Sequence, residues 1–340
     1  MRAYAYAAHG AANVATLQNV PIPDPPASSS TLQIKVNACS FNPIDYKRRS
    51  GALKMIFPEK YWPVTLAYDV CGVVTKAGDK VTKFKVGDTV YGRVSTAYPN
   101  IGTCAEYTLA TEDVLSFKPQ KMTSEEAAAV PLACLTAFQM LRKAGFKQGD
   151  HILITAGAGG VGHYAIQLAK ALGASKITAT ASAPKHELLK SLGCDEVIDY
   201  KSQDITKLFK ARPFDIGLDN SAESAKLIKV VKEGGSVVSV VEGINSQTVR
   251  EMGGNPSFLI GWILYFMTRS LYNAASKARV SYSFMRLQTN SKDLDEISAL
   301  IEAGKLRSVI KVFDGIEKAP YALAEVEGGR ATGKMVVKIA

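Results

Sequence analysis

The sequence predicts a two-domain α/β protein, a β-rich domain joined to a doubly wound parallel sheet. Three observations carry this. The chain's 340 residues exceed one core of the usual ~100–200 residues. The first third reads as short β-rich runs cut by turn signals. From His151 onward apolar strands and amphipathic helices alternate, the pattern of βα units. Apolar residues make up 47% of the chain and charged ones 21%, so two ordinary cores can be filled.

In chain order, Pro21–Pro26 reads as a surface turn or connector. Thr31–Ala38, Val70–Lys76 and Thr89–Arg93 read as strands, and Ala77-Gly78-Asp79 and Val86-Gly87-Asp88 as turns. Thr123-Ser124-Glu125-Glu126 is a helix start with acids in its first turn. Ile152–Thr155 is a short apolar strand. Val161–Leu172 is a helix with Val161, Ala165, Leu168 and Leu172 on one stripe and Gly173 past its end. Lys176–Ser182 is the next strand, and Pro184–Leu192 a helix opened by proline and closed by Gly193. Val197–Tyr200, Phe214–Asp219 and Ser236–Val241 are further strands. Leu294–Glu302 is a helix ending at Gly304, and Met335–Ile339 a closing strand. Residues 285–340 return to mixed texture and are expected to complete the first domain. The expected division is 1–122 with 285–340 for the β-rich domain and 123–284 for the inserted cofactor domain.

The basic excess, 41 Lys and Arg against 31 Asp and Glu, is spread along the chain and favours anionic ligands without naming one. Five cysteines, an odd number without CxxC spacing, exclude a disulfide framework or a zinc ribbon and suit a reducing compartment. The strongly apolar run Phe258–Met267 is about half the ~20 residues a spanning helix needs. A cytoplasmic protein is expected. His9, His151, His163 and His186 are scattered, and His163 is expected to face solvent or the sheet. No Ser/His/Asp constellation is suggested.

Gly157-Ala158-Gly159-Gly160-Val161-Gly162 matches GxGxxG. The pattern alone is weak, but here it follows a predicted strand and opens a predicted helix. Gly157 would permit the tight turn, Gly159 a close approach of pyrophosphate, and Gly162 close helix–sheet packing. Gly160 and Val161 complete the expected phosphate cradle at the helix N-terminus. An NAD site places an acid about 20 residues on, at the end of the second strand. Here that strand ends in Ser182, followed by Ala183-Pro184-Lys185. A hydroxyl and an ammonium attract a 2′-phosphate where a carboxylate would repel it. Ser182 and Lys185 therefore point to NADPH.

AGAGGVG followed by HYAIQLAKALGA resembles the medium-chain dehydrogenase/reductase superfamily. SFNPIDYKRRSG at 40–51 and ATGKMVVKI at 331–339 resemble its zinc-independent branch of quinone oxidoreductases (the ζ-crystallin type) and alkenal/enone reductases. The resemblance covers nearly the whole chain. It implies a GroES-like catalytic domain, a Rossmann cofactor domain and an active site in the cleft between them. Zinc-dependent relatives have a cysteine three residues before the aspartate matching Asp45, and a His-Glu pair further on. Here Asn42 and Tyr68-Asp69 stand there, and the amide of Asn42 and the phenol of Tyr68 are poor zinc ligands beside thiolate and imidazole. No metal is expected. Without a Lewis acid the site suits a reactive acceptor, a quinone or an α,β-unsaturated carbonyl, polarised by hydrogen bonds alone. Tyr46, Asn42 and Tyr68 are the candidate donors. Asn42 also reads as a turn residue before Pro43, and Tyr68 as a packed aromatic.

The resemblance further implies NADPH contacts for Lys47, Thr136, Tyr200 and Arg330, and a homodimer. Ala67 departs from the family, which often has glycine there. Residues 245–284 are longer and more apolar than in compact members. Phe258–Leu271 reads as a helix packed inside its domain, or as a lid, dimer surface or membrane contact. An RNA-binding or crystallin-like role, or a peripheral membrane role, is the alternative to an enzyme. No RNP-type motif supports a nucleic-acid partner.

Overall fold

The computed structural model describes residues 1–54, 58, 59, 61–94, 101–251 and 258–340. The first stretch contains β1 (Arg2–Tyr6), β2 (Ala15–Asn19), β3 (Thr31–Phe41), α1 (Pro43–Arg49), β4 (Val64–Thr65), β5 (Asp69–Ala77), β6 (Thr89–Arg93), β7 (Tyr107–Thr111) and β8 (Leu115–Phe117). Next come α2 (Ser124–Ala128), α3 (Pro131–Lys143), β9 (His151–Ile154), α4 (Gly162–Ala171), β10 (Lys176–Ala181), α5 (His186–Ser191) and β11 (Glu196–Asp199). They are followed by α6 (Ile205–Leu208), β12 (Phe214–Asp219), α7 (Ser224–Val230), β13 (Val231–Ser239), α8 (Ser246–Glu251) and α9 (Phe258–Ala278). The last are β14 (Ser281–Phe284), α10 (Ser291–Glu302), β15 (Ile310–Asp314), α11 (Ala319–Glu327) and β16 (Lys334–Lys338).

Two compact units result, Met1–Leu135 with Gln288–Ala340, and Thr136–Leu287. In the first, β15-β16-β3-β5-β6-β8 form one sheet, with β7 also paired to β3, and β2-β1-β4 form a smaller one. The long strand β3 runs three residues past the expected Ala38, because Cys39, Ser40 and Phe41 pair with β16 on one side and Cys39 and Ser40 with β5 on the other. Its alternation fills the core with Leu32, Ile34, Val36, Cys39 and Phe41, packed against Tyr4, Tyr6, Val70 and Leu115. Pairing of β16 with β3 is how residues late in the sequence complete this unit.

In the second unit the strand order is β11-β10-β9-β12-β13-β14, every pair parallel. Counted from β9 this is 3-2-1-4-5-6, the Rossmann order, which reverses direction beside β9. The core joins Leu153, Phe214, Leu227, Val231 and Val237. Thr123 caps α2 through a capping box with Glu126, as the sequence motif predicts. The helix expected over Pro184–Leu192 is shorter. Ala183–Lys185 forms a 3₁₀ turn, and the α-helix starts at His186. Proline has no N–H to lose at that first turn, so it suits the tighter turn equally well.

Candidate active site: two sets of residues

The first set gathers around α1. Asn42 is its N-cap, with extended backbone, and Pro43 stands at the first helical position. The backbone N–H of Asn42 donates to Asp45 Oδ2 at 2.7 Å, closing a capping box. Asp45 Oδ1 accepts from the Ala67 N–H at 3.0 Å. Ala67 has φ +66°, the left-handed region that glycine fills without strain. Burial pushes the Asp45 carboxyl up to about 7, against the two N–H groups and the Lys334 charge that favour its anion.

Beneath this helix lies a buried polar cluster. Asn42 Nδ2 donates to Asp69 Oδ2 at 2.8 Å, and Ser40 Oγ donates to the same oxygen at 3.0 Å. Lys334 Nζ reaches Asp69 Oδ2 at 3.2 Å, the Phe41 carbonyl at 2.9 Å and Asn42 Oδ1. Asp69 Oδ1 accepts from the Leu132 N–H at 3.0 Å, so the same carboxylate holds the first turn of α3. Both amide atoms of Asn42, expected as a carbonyl donor, are thus engaged within the fold. Tyr68, 3% exposed, is walled in. Its hydroxyl accepts from Arg48 Nη1, and the Arg48 and Arg93 guanidiniums lie 5.4 and 5.5 Å from its ring centre. Arg48 Nε in turn holds Glu59 at 2.9 Å, whose other partner is the Tyr6 hydroxyl at 2.9 Å. Burial raises the Tyr68 phenol above its ordinary range although Arg48 opposes it.

These contacts answer the zinc question raised by the family likeness. Asn42 and Tyr68 stand where a metal would need thiolate and imidazole, both are already bonded, and the Lys334 ammonium beside Asn42 and the Arg48 and Arg93 guanidiniums beside Tyr68 repel a cation. Those residues do not fit zinc. Tyr46 and Lys47 remain on α1, both half-buried. Burial, then Glu327, raises the Tyr46 phenol. Arg330 lines an open cavity of about 710 Å³ together with Lys311 and Thr332.

The second set lies at the carboxyl ends of β9, β10 and β11. Ala156, not Gly157, takes the left-handed turn, at φ +48°. Gly157 is needed instead for packing, since a Cβ there would stand 2.8 Å from Ala179 and from Leu189. A Cβ on Gly162 would stand 2.4 Å from the Ala156 carbonyl, so helix and loop approach as the motif requires. At Gly159 a Cβ would meet only the Ala156 carbonyl, at 3.2 Å. Space outside the fold therefore explains this glycine better than packing does. Gly160 and Val161 follow half-buried, and no side chain caps α4 at Val161. That leaves an electropositive helix start of ten residues facing the glycine loop. His163, expected toward solvent or the sheet, is fully buried, with Nδ1 at 2.9 Å from the Gly159 carbonyl.

Ser182 follows β10 and Tyr200 follows β11, and the two strands pair in parallel up to Ala181 and Asp199. Ser182 and Tyr200 therefore stand side by side at one sheet edge. Lys185 is half-buried, and its ammonium is lowered by burial and by the neighbouring charge of Lys201. Lys201 was not singled out in the sequence, although it directly follows Tyr200. The pairing of β10 with β11 brings Lys201, next after Tyr200, to the same end of the sheet as Ser182 and Lys185, and two ammoniums there suit a doubly charged phosphate. Thr136 is buried, one turn beyond Leu132 on α3. Lys334, Asp69, Arg48 and Arg93 were also missed. Lys334 lies within the ATGKMVVKI run, where its burial could not be seen without β16 pairing.

Comparison with known proteins places these features. The family model for the alcohol dehydrogenase GroES-like domain matches residues 28–120, and that for zinc-binding dehydrogenase matches 192–337. The chain is 37% identical to 2-methylene-furan-3-one reductase of Solanum lycopersicum, over 99% of this chain and 79% of that protein. It is 34% identical to an NADPH-dependent alkenal/one oxidoreductase of Arabidopsis thaliana, again over 99% and 79%. The quinone oxidoreductase of Coxiella burnetii superposes with a TM-score of 0.83 at 32% identity, covering 100% of this chain and 99% of that one. With a GroES-like unit, a Rossmann unit and this likeness along its length, the chain belongs to the medium-chain dehydrogenase/reductase superfamily, in its branch of quinone oxidoreductases and alkenal/enone reductases.

Proposed function

We propose that this protein is an NADPH-dependent reductase of quinones or α,β-unsaturated carbonyls. The observation that carries the reading is the Rossmann glycine loop together with the β10–β11 register, which sets Ser182 and Tyr200 side by side with Lys185 and Lys201 following them. Names of relatives supply the acceptor class: 2-methylene-furan-3-one reductase, alkenal/one oxidoreductase and quinone oxidoreductase. Gly157, Gly159, Gly160, Val161 and Gly162 would hold the pyrophosphate at the start of α4. Ser182, Lys185, Tyr200 and Lys201 would hold the 2′-phosphate, and Lys47, Thr136 and Arg330 the rest of the cofactor. When bound, NADPH supplies the hydride.

The chain's own part is to place the acceptor and to stabilise the oxyanion that develops on its oxygen. Tyr46, half-buried on α1, is the donor that reaches that oxygen. Its raised pKa keeps the phenol protonated, so it donates at every pH near neutrality. Tyr68 and Asn42 act behind it. Tyr68 holds Arg48, and Asn42 ties the start of α1 to Asp69 and Lys334. We read both as positioning residues and expect solvent to supply the proton. The chemistry calls for no metal.

NADPH oxidation is measured with a quinone, an alkenal and a simple ketone, in EDTA, with NADH in parallel. Turnover with the first two and NADPH preference supports the reading. Cofactor binding without any acceptor turnover overturns the reductase assignment. Two partner proposals accompany it. A homodimer would use β14, the outer strand of the Rossmann sheet, and light scattering reports it. Membrane contact would use Phe258–Leu271. A cytoplasmic location is proposed on the five buried, unbridged cysteines among the described residues.

A further inference from the structure

We infer that the outward face of α9 seats the protein on an anionic lipid surface, lying in the headgroup plane. This rests on the membrane contact just proposed and names its residues, its lipid class and its mode. The helix has two faces. Leu271, Tyr272 and Ala275 turn inward and pack on the Rossmann core, where Tyr272 donates to the Gly243 carbonyl at 3.2 Å, and Thr268 on the same side is buried. On the other side, within two turns, stand Trp262, Ile263, Tyr265, Phe266 and Met267, all about half exposed or more. Phe266 is 57% and Met267 71% exposed. Trp262 and Phe266 are one turn apart, with ring centres at 5.5 Å. Large apolar side chains this concentrated mark a contact surface.

Charge identifies the occupant. The 21-residue helix contains no Asp or Glu. Past the aromatic turns its outward face carries Arg269 and Lys277, both exposed. The Arg269 guanidinium lies 5.8 Å from the Tyr265 ring centre. Exposed Arg250 stands in the last turn of α8, before its final Glu251, and α8 packs on α9. With a net charge of +10, a second copy would bring like charge to this face, whereas anionic headgroups complement it. Trp and Tyr favour the bilayer interface. Among the described residues no helix is long and apolar enough to cross a membrane. The helix therefore lies in the interface, with Trp262 and Phe266 toward the acyl chains and Arg269 and Lys277 at phosphate level.

The full-length chain is sedimented with phosphatidylcholine vesicles, with and without about one quarter phosphatidylserine. Phe266→Glu/Met267→Glu is the test variant, and Arg269→Gln/Lys277→Gln probes the charge. Binding to the anionic vesicles is expected to fall about tenfold or more in the first variant, by loss of apolar insertion. It should weaken with salt and in the second variant. NADPH oxidation with a soluble acceptor should be unchanged in both. No vesicle binding by the parent protein overturns membrane contact altogether. Binding that both variants retain overturns the α9 assignment alone. Equal binding to neutral vesicles overturns the anionic requirement. A vesicle-independent dimer lost in the Phe266→Glu/Met267→Glu variant would make a second copy the occupant and sink the proposal.

Discussion

At the scale of single residues, the sequence placed chemistry on Tyr46, Asn42 and Tyr68 alike, and the structure gives them different surroundings. Tyr46→Phe removes only the phenolic donor. It is expected to lower kcat by about 10²-fold while leaving the KM for NADPH unchanged. Because burial raises the Tyr46 phenol, any alkaline limb of the rate profile lies above the ordinary tyrosine range and disappears in the variant. Full activity in Tyr46→Phe would refute the donor role. Asp45 makes the second prediction. Its carboxyl is pushed by burial from the ordinary aspartate range up to about 7, so the folded protein keeps a proton that the unfolded chain releases first. The unfolded state then binds fewer protons through this window, and stability falls as pH rises from about 4 to about 7. Urea midpoints should show this slope, flattened in Asp45→Asn. Identical slopes in both proteins would show that other groups set the pH dependence.

At the scale of elements, α1 is held from two sides. Its Arg48 is bound to Tyr68 and Glu59, and Nη2 of its Arg49 donates to both carboxylate oxygens of Glu327 at the end of α11, at 2.9 and 3.0 Å. Arg49 is buried and its Nε has no partner among the described residues, while Glu327 is partly exposed. Breaking a buried pair costs ~3–5 kcal/mol, but solvent at Glu327 screens this one. Glu327→Gln should therefore cost about 1–2 kcal/mol, read as a lower urea midpoint with unchanged slope. A loss near zero would mean that the pair does not hold α1 to α11. Elements with strong periodicity and clear caps were legible in the sequence. Thr123 announced α2, and the apolar stripe with its closing glycine announced α4. The last three residues of β3 were not, because their strand identity comes from pairing with β16, which lies nearly 300 residues away (Phe41 with Met335, for example). For α9 the sequence left both a packed and an exposed reading open, because an apolar run alone does not say which half of it the sheet covers.

At the scale of the whole molecule, the Rossmann order and the glycine loop were legible because their signals are local, a strand, a turn and a helix in succession. Lys201 was hidden because its proximity to Lys185 depends on β11 lying beside β10. Lys201→Ala and Lys185→Ala are each expected to weaken NADPH about tenfold with NADH nearly unaffected, as loss of a charge-assisted contact to the 2′-phosphate. Equal weakening of both cofactors would place these lysines elsewhere. The Asp69–Asn42–Lys334 cluster was hidden for the same reason on a larger scale, since its ammonium and carboxylate are 265 positions apart.

That separation bears on how the protein is made. While the ribosome is still synthesising the chain, Asp69 and the strands around it emerge long before their counter-ion. Until Lys334 arrives, the carboxylate at the centre of the GroES-like unit has its hydrogen-bond donors Ser40, Asn42 and Leu132 but no counter-ion, a cost if the unit closed early. The Rossmann unit, continuous in sequence from Thr136 to Leu287, has no such wait. Its folding can run ahead, with the earlier-born unit closing last, when Lys334 arrives.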